Sequence, residues 1–335
     1  MNLQNRIHGC LAGLALGDSV GGPTEFLTRA KIRSVYGWVD RLVQAPAWHP
    51  HHRLRPGQIT DDTGQMLAVA HALGEDGQVT AENVATSLLE WADQAGENLS
   101  VVIGPSTRLA LERLRSGESP RLTGRSGTTN GSAYRAVIPG LVNHARPEQI
   151  LPQVVEVCLP THGTTVAISG AAAVAFAVAQ ALVESSKLED ILEAAKSGAQ
   201  KGYEHGTWVW ATPLQKRIEL AVRLVVENPQ PEAALSALAD FVGTDLLVAE
   251  SIASAFGLVV LSEGNPMLAI QYGANLGGDT DTIAAVAGAI CGAWKGIDTI
   301  DLDMLSQVEK INQIDLALEA ARLVRIIEKS ERNGK

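Results

Sequence analysis

"IHGCLAGLALGDSVGG", residues 7–22, places Gly9, Gly13, Gly17 and Gly21 four apart. Residues four apart share one face of a helix. The glycines therefore form a stripe almost without side chains, along which a second backbone can approach closely. The stretch predicts a tightly packed helical body.

The rest of the chain reads the same way. Of 335 residues, 46% are hydrophobic but only 4% aromatic, so a core must be built from Ala, Leu, Val and Ile. Ala and Leu lead the helix-propensity ranking, and a chain of this length buries a sizeable core unaided. Helical patterns recur over 64–74, 82–95, 105–115, 148–158, 164–184, 188–201, 213–227, 231–241, 245–262, 266–275, 282–294 and about 302–331. Pro105, Pro147, Pro213, Pro231 and Pro266 stand where first helical turns would begin. Strand-like alternation is scarce, "RLVQAP" (41–46) being the best example, and residues 37–58 form a loop-rich region. Connections are short, so we expect an all-α fold: a single compact multi-helical domain over residues 1–335.

Charge and cysteines narrow the partners. A net charge of −10 without a dense Lys/Arg cluster argues against a nucleic-acid partner. Cys10, Cys158 and Cys291 lie far apart with no C-x-x-C spacing, which suits reduced, buried thiols in a cytoplasmic protein. "MNLQNRIHGC" lacks the pattern of a signal peptide. "VAISGAAAVAFAVAQALV" (166–183) is uncharged and nearly long enough to span a bilayer. Its Ala, Gly, Ser and Gln make it only mildly apolar, so a buried central helix is expected and no membrane partner.

Chemistry concentrates in two acidic motifs. "ITDDTGQ" (59–65) and "NLGGDTDT" (275–282) each precede an apolar helical run. Helix capping accounts for one acid per helix. It does not account for two near-adjacent acids at the head of a run as apolar as 283–294. Unpaired buried carboxylates are costly, and the nearest base to the second motif is Lys295 downstream. A divalent cation is the economical solution, and carboxylate and hydroxyl oxygens select hard ions, Mg²⁺ or Mn²⁺. Two such motifs are able to hold two ions roughly 3.5–4 Å apart. Gly277 and Gly278 allow positive φ, so the turn can aim both aspartates at one point.

The ordered set "GLALGDSVGGPTEF" (13–26), "TDDT" (60–63), "NGSAYR" (130–135), "TH" (161–162) and "GGDTDT" (277–282) resembles the ADP-ribosylglycohydrolase family. That family includes the dinitrogen reductase activating glycohydrolase and the eukaryotic ADP-ribosylhydrolases. The resemblance implies an all-α fold and a binuclear Mg²⁺ or Mn²⁺ centre in a central cleft. Its ligands would be Thr60, Asp61, Asp62, Asp279, Asp281 and Thr282, with Glu25 and Asp62 as catalytic carboxylates. Asn130, Gly131, Ser132 and Gly278 would cradle the substrate, and His162 would donate to it. Ser132 and Tyr134 stand where the family often has Ala and Met, and "SGTTN" (126–130) offers no ring to stack on adenine. Asp93 and Glu97 are candidates for a further family acid.

The expected activity is metal-dependent cleavage of the C1 glycosidic bond of an ADP-ribosyl group, carried by a protein side chain or a small molecule. The alternatives are an N-riboside or nucleoside hydrolase acting on a small ribosyl metabolite, and a non-catalytic, crystallin-like member. A monomer or small homo-oligomer is expected. The motif "DTDT" also overlaps the D-x-D-x-T of phosphoaspartate transferases. There a β-strand precedes the motif and Thr replaces Ile283, whereas "PMLAIQYGAN" (266–275) reads as helix.

Four further features have structural readings. Asp18 is expected to be a structural polar group at a helix end, and His49, His51 and His52 to sit in a solvated Pro-rich loop, with a rim contact to substrate as the alternative. "GPSTRLALERL" (104–114) opens a helix whose N–H groups either meet a phosphate or are simply capped. Trp208 and Trp210 are expected to seal the core, with a stacking platform as the rival.

Overall fold

In a computed structural model that describes residues 2–96 and 99–333, the glycine stripe is the seam of the molecule. The chain forms α1 (Leu3–Gly21), α2 (Arg29–Tyr36), α3 (Asp61–His71), α4 (Ala81–Ala95), α5 (Leu99–Val102) and α6 (Pro105–Arg115). There follow α7 (Pro120–Thr123), α8 (Val137–Val142), α9 (Pro147–Cys158), α10 (Thr165–Ala181), α11 (Leu188–Gly202) and α12 (Leu214–Glu227). The last are α13 (Pro231–Ala237), α14 (Val248–Leu261), α15 (Pro266–Ala274), α16 (Thr280–Lys295), α17 (Leu302–Asn312) and α18 (Leu316–Asn333). Among the described residues strands are replaced by isolated bridges, Leu27 to Gly278, Thr129 to Leu247 and Thr164 to Thr207. The all-α expectation holds.

Helices α1 and α16 run antiparallel in the centre. A Cβ on Gly9, Gly13 or Gly17 would overlap the backbone carbonyl of Gly292, Gly288 or Ala284 in turn. On Gly21, the loosest of the four, it would still come to 2.5 Å from the Thr280 carbonyl oxygen. Each four-residue step along α1 matches a four-residue step back along α16. Glycine costs a helix about 1 kcal/mol relative to Ala, so the close approach must return more than the stripe loses. Its consequence is positional: the end of α1 is brought against the start of α16, and thus the segment after Gly21 against "GGDTDT". A second small-residue seam joins α10 to α11, where Gly198 and Gly202 meet the backbone of Ala172 and Ile168.

Several expected helices coincide closely with observed ones, 105–115 to the residue. Others differ for local reasons. The pattern at 302–331 is broken at Gln313, whose φ of +55° caps α17 before α18 starts. The pattern at 231–241 ends its α-helix at Ala237 and widens into a π-turn over Leu238–Val242. Helix α2 escapes a periodicity search because its one buried residue is Ile32.

Residues 166–181 of the uncharged run lie in α10, buried almost throughout, and no described helix is long and apolar enough to cross a membrane. The three cysteines are buried and unbridged, and burial pushes the thiols of Cys158 and Cys291 up to about 12. Trp208 and Trp210 overturn the expectation of a core role, being 70% and 78% exposed. Between them, Val209 is tied inward through bonds to Thr165 and Tyr203. These bonds anchor the main chain of the loop, and the two indoles on either side of Val209 face solvent.

Candidate active site

Glu25, Asp61, Asp62, Asp279, Asp281 and Thr282 line one cleft, with Asn130, Gly131 and Tyr134 on its wall. Phe26, Thr129, Leu246, Val101, Val102, Ile103, Gly104 and, from α6, Pro105, Thr107 and Arg108 complete the lining. Both acidic motifs thus converge from distant parts of the chain, each at the N-terminus of a helix.

The first motif is held by α1. Asp18, wholly buried, accepts the N–H of Thr60 (2.9 Å) and the N–H of Thr63 (3.0 Å), and the Thr63 hydroxyl as well. Its role is structural as expected, but it lies within α1, which continues to Gly21, and it caps α3 instead of closing its own helix. Burial pushes its carboxyl up to about 6 against the pull of the Thr63 hydroxyl. Thr60 caps the same helix with its hydroxyl, 3.4 Å from the Asp62 N–H. Asp61 Oδ2 accepts from Tyr134 Oη at 3.0 Å and from Gln65 Nε2 at 2.5 Å.

The second motif turns on Gly277 and Gly278, with φ of +83° and +81°. Such angles cost an L-residue dearly and glycine little. Gly278 exchanges backbone hydrogen bonds with the Phe26–Leu27 segment (2.7 and 2.9 Å), and the Asp279 N–H donates to Thr244 O at 2.7 Å. Asn130 Nδ2 donates to Asp279 Oδ2, and also to Ser251 Oγ at 2.8 Å. One oxygen each of Glu25, Asp279 and Asp281 lie within 4.8 Å of one another.

Crowded carboxylates in a buried cleft resist ionisation. Burial first, then the charge of Asp281, holds Glu25, Asp62 and Asp279 well above the ordinary carboxylate range. The same two causes push Asp61 up to about 8. Asp62 Oδ2 is buried with no hydrogen-bond partner, an arrangement usually costing 1–3 kcal/mol or more. An all-oxygen, anionic donor set with an orphaned buried oxygen fits a hard divalent cation.

The linkage has a sign. Between 3.8 and about 8 the folded protein holds a proton on Asp61 that the unfolded chain has lost, so stability falls as pH rises through that interval. Melting in a chelator should therefore show wild type losing ground to Asp61→Asn from pH 4 towards pH 8. A pH-independent difference between the two would remove the electrostatic account.

The remaining candidates fall into two groups. Ser132 turns its hydroxyl to Ala167 O (3.3 Å), and Gly278 lines a neighbouring cavity with Thr244 and Asp245. His162 is fully buried behind Gly131 and bonds at Nε2 to Thr129 Oγ1 (2.9 Å), so its contact with the cleft runs through Thr129. Arg135, the last residue of "NGSAYR", is wholly buried and organises this wall. It donates to Gly131 O at 2.6 Å, Thr161 Oγ1 at 2.8 Å and His162 Nδ1 at 2.9 Å. Asp93 is exposed and paired with Arg115 at 2.6 Å; Glu97 lies outside the described residues. His49 and His51 are buried, not solvated, because they pack on Glu25 and its neighbours.

The helical body carries a buried carboxylate cleft where its two acidic motifs meet, the setting of a hydrolase site. Residues 1–333 match the ADP-ribosylglycohydrolase family. The chain is 31% identical to the uncharacterized protein YegU of Escherichia coli over 97% of this chain and 98% of that one. It is 25% identical to the ADP-ribosyl-[dinitrogen reductase] glycohydrolase of Rhodospirillum rubrum, over 96% and 98%. A solved ADP-ribosylglycohydrolase-related protein complex shares the fold, with a TM-score of 0.67 and 23% identity over 98% of each chain. The chain belongs to the ADP-ribosylglycohydrolase family, whose members are hydrolases of glycosidic bonds.

Proposed function

We propose that the chain, folded as one domain, hydrolyses the C1 glycosidic bond of an ADP-ribosyl group with two Mg²⁺ or Mn²⁺ ions. The observation that carries the reading is the meeting of Glu25, Asp61, Asp62, Asp279 and Asp281 in one buried cleft beside Asn130. Thr60, Asp61, Asp62, Asp279, Asp281 and Thr282 would hold the ions. When bound, the ions supply Lewis acidity and positive charge at the ribose. Tyr134 and Gln65 fix one oxygen of Asp61, and Asn130 fixes one of Asp279, so the carboxylates keep their aim when the charge among them changes. The Glu25 carboxylate takes the proton of the attacking water as the sugar approaches an oxocarbenium-like state. Val101, Val102 and Ile103 exclude bulk water from that side.

ADP-ribose with MnCl₂ should raise the melting temperature by several degrees, since ligand at 100 times Kd stabilises by about 2.7 kcal/mol. Equal shifts with nucleosides would point elsewhere, and no shift with any ribosyl compound would remove the proposal. One observation favours a smaller substrate. The cleft encloses only about 240 Å³, below the roughly 300–1,000 Å³ of drug-sized sites. A small ribosyl metabolite is therefore the second reading.

A further inference from the structure

We infer that "HPH" at 49–51 is a clamp that positions Glu25 for the reaction proposed above. His51 is 2% exposed and His49 1%. His51 Nδ1 lies 3.0 Å from Gly22 O. Its Nε2 lies 3.2 Å from Glu25 Oε2 and 3.3 Å from Val101 O. Both ring nitrogens therefore lie within hydrogen-bond reach of groups on or beside Glu25, Nδ1 on the Gly22 carbonyl and Nε2 between the Glu25 carboxyl and the Val101 carbonyl. His49 does the complementary work: Nε2 donates to the Glu25 carbonyl oxygen at 2.7 Å, while Nδ1 accepts the His51 N–H at 3.0 Å. One histidine thus holds the main chain of Glu25 and the other its side chain. With every ring nitrogen of the two engaged, neither imidazole is free to ligate an ion.

Glu25 needs such a hold. The charges of Asp281, Asp279, Asp61 and Asp62 crowd it, and a free glutamate side chain carries about 1.5–2 kcal/mol of rotamer entropy. The next residue, Phe26, has φ +61° and is half exposed, a conformation that persists only where surrounding structure imposes it. Taking Oε2 leaves the second carboxylate oxygen for the cleft. Through Val101 O, the same His51 nitrogen also ties Glu25 to the hydrophobic side of the lining. Outer contacts of this kind set geometry without touching the substrate. His51 and His49 are positioning residues.

The test uses two near-isosteric exchanges. His51→Asn retains an N–H near the Nδ1 position and loses the reach to Glu25; His51→Gln retains a donor near Nε2. On an ADP-ribosylated substrate with Mn²⁺, His51→Asn should lower kcat about 10–100-fold while KM stays within about threefold, and His51→Gln should recover most of the loss. Urea unfolding of the metal-free protein supplies a readout independent of turnover. The midpoint shift from His51→Asn should be large beside Glu25 and small in a Glu25→Ala background. Additive shifts, or coupled shifts with unchanged kcat, would overturn the clamp. Should wild type leave ADP-ribosyl compounds intact, the function fails while the unfolding cycle still decides the contact.

Discussion

Exchange of Asp281 for Asn should cut hydrolysis by on the order of 10³ and, at the same time, make the chelated protein more stable. The two effects share one cause. After burial, the charge of Asp281 is the largest influence raising the carboxyl groups of Glu25, Asp61, Asp62 and Asp279. Each pKa unit corresponds to about 1.4 kcal/mol, so neutralising that charge relieves four neighbours together. The amide is isosteric and keeps an oxygen for the Thr282 N–H, which Asp281 Oδ1 accepts at 2.9 Å. Little is lost from the fold. What is lost is the charge that would attract a cation, and with it the metal-dependent rise in melting temperature. A plain helix cap behaves oppositely: its removal costs about 0.5–2 kcal/mol. Melting curves of wild type and Asp281→Asn, in EDTA and in MnCl₂, therefore separate an ion site from a cap. If the variant melts lower in EDTA and responds to Mn²⁺ as wild type does, the cleft does not bind the ion.

How much of this was legible depended on whether a residue's role is local. Gly9, Gly13, Gly17 and Gly21 announce their own spacing, and the two acidic motifs contradict the apolar runs that follow them. Those features were readable. The histidines were not, because Pro46, Pro50 and Pro56 give their loop a solvated look, while the partner that buries His51 is Glu25, 26 positions earlier. Arg135 hid for the same reason: its value is a buried fan of bonds to Gly131, Thr161 and His162. Trp208 and Trp210 misled in the other direction. Hydrophobicity alone places them inside, whereas the loop that carries them runs over the surface. Helix α2 lacked the apolar stripe by which helices are recognised, whereas Gln313 gave no glycine to mark where α17 stops.

Gly13→Leu should yield no soluble, folded protein. Helix α16 offers its backbone at that point, and the Gly288 carbonyl lies where the new Cβ must go. A flexible side chain swings aside; a carbonyl bonded within its own helix does not. Extra methylenes in a packed core commonly cost about 1–3 kcal/mol when neighbours can adjust, and a Leu facing unyielding backbone exceeds that. With total stability of about 5–15 kcal/mol, one such exchange is decisive. The stripe also makes a graded claim about function. At Gly21, the cleft end of the seam, a methyl would meet the Thr280 carbonyl oxygen at 2.5 Å and Asp281 Cα at 2.6 Å. Gly21→Ala should fold, because the last turn can splay, yet shift the second acidic motif away from Glu25 and Asp61 and weaken Mn²⁺ binding about tenfold or more. Gly104→Ala, where a Cβ meets nothing within 4 Å, is the control for stability and should lose only what a poorer cap of α6 costs, about 1 kcal/mol. Expression, urea midpoints and Mn²⁺ calorimetry on the three variants test the gradient. A soluble Gly13→Leu with wild-type melting, or a Gly21→Ala with undiminished Mn²⁺ affinity, would mean that the two helices do not set the spacing of the acidic cleft.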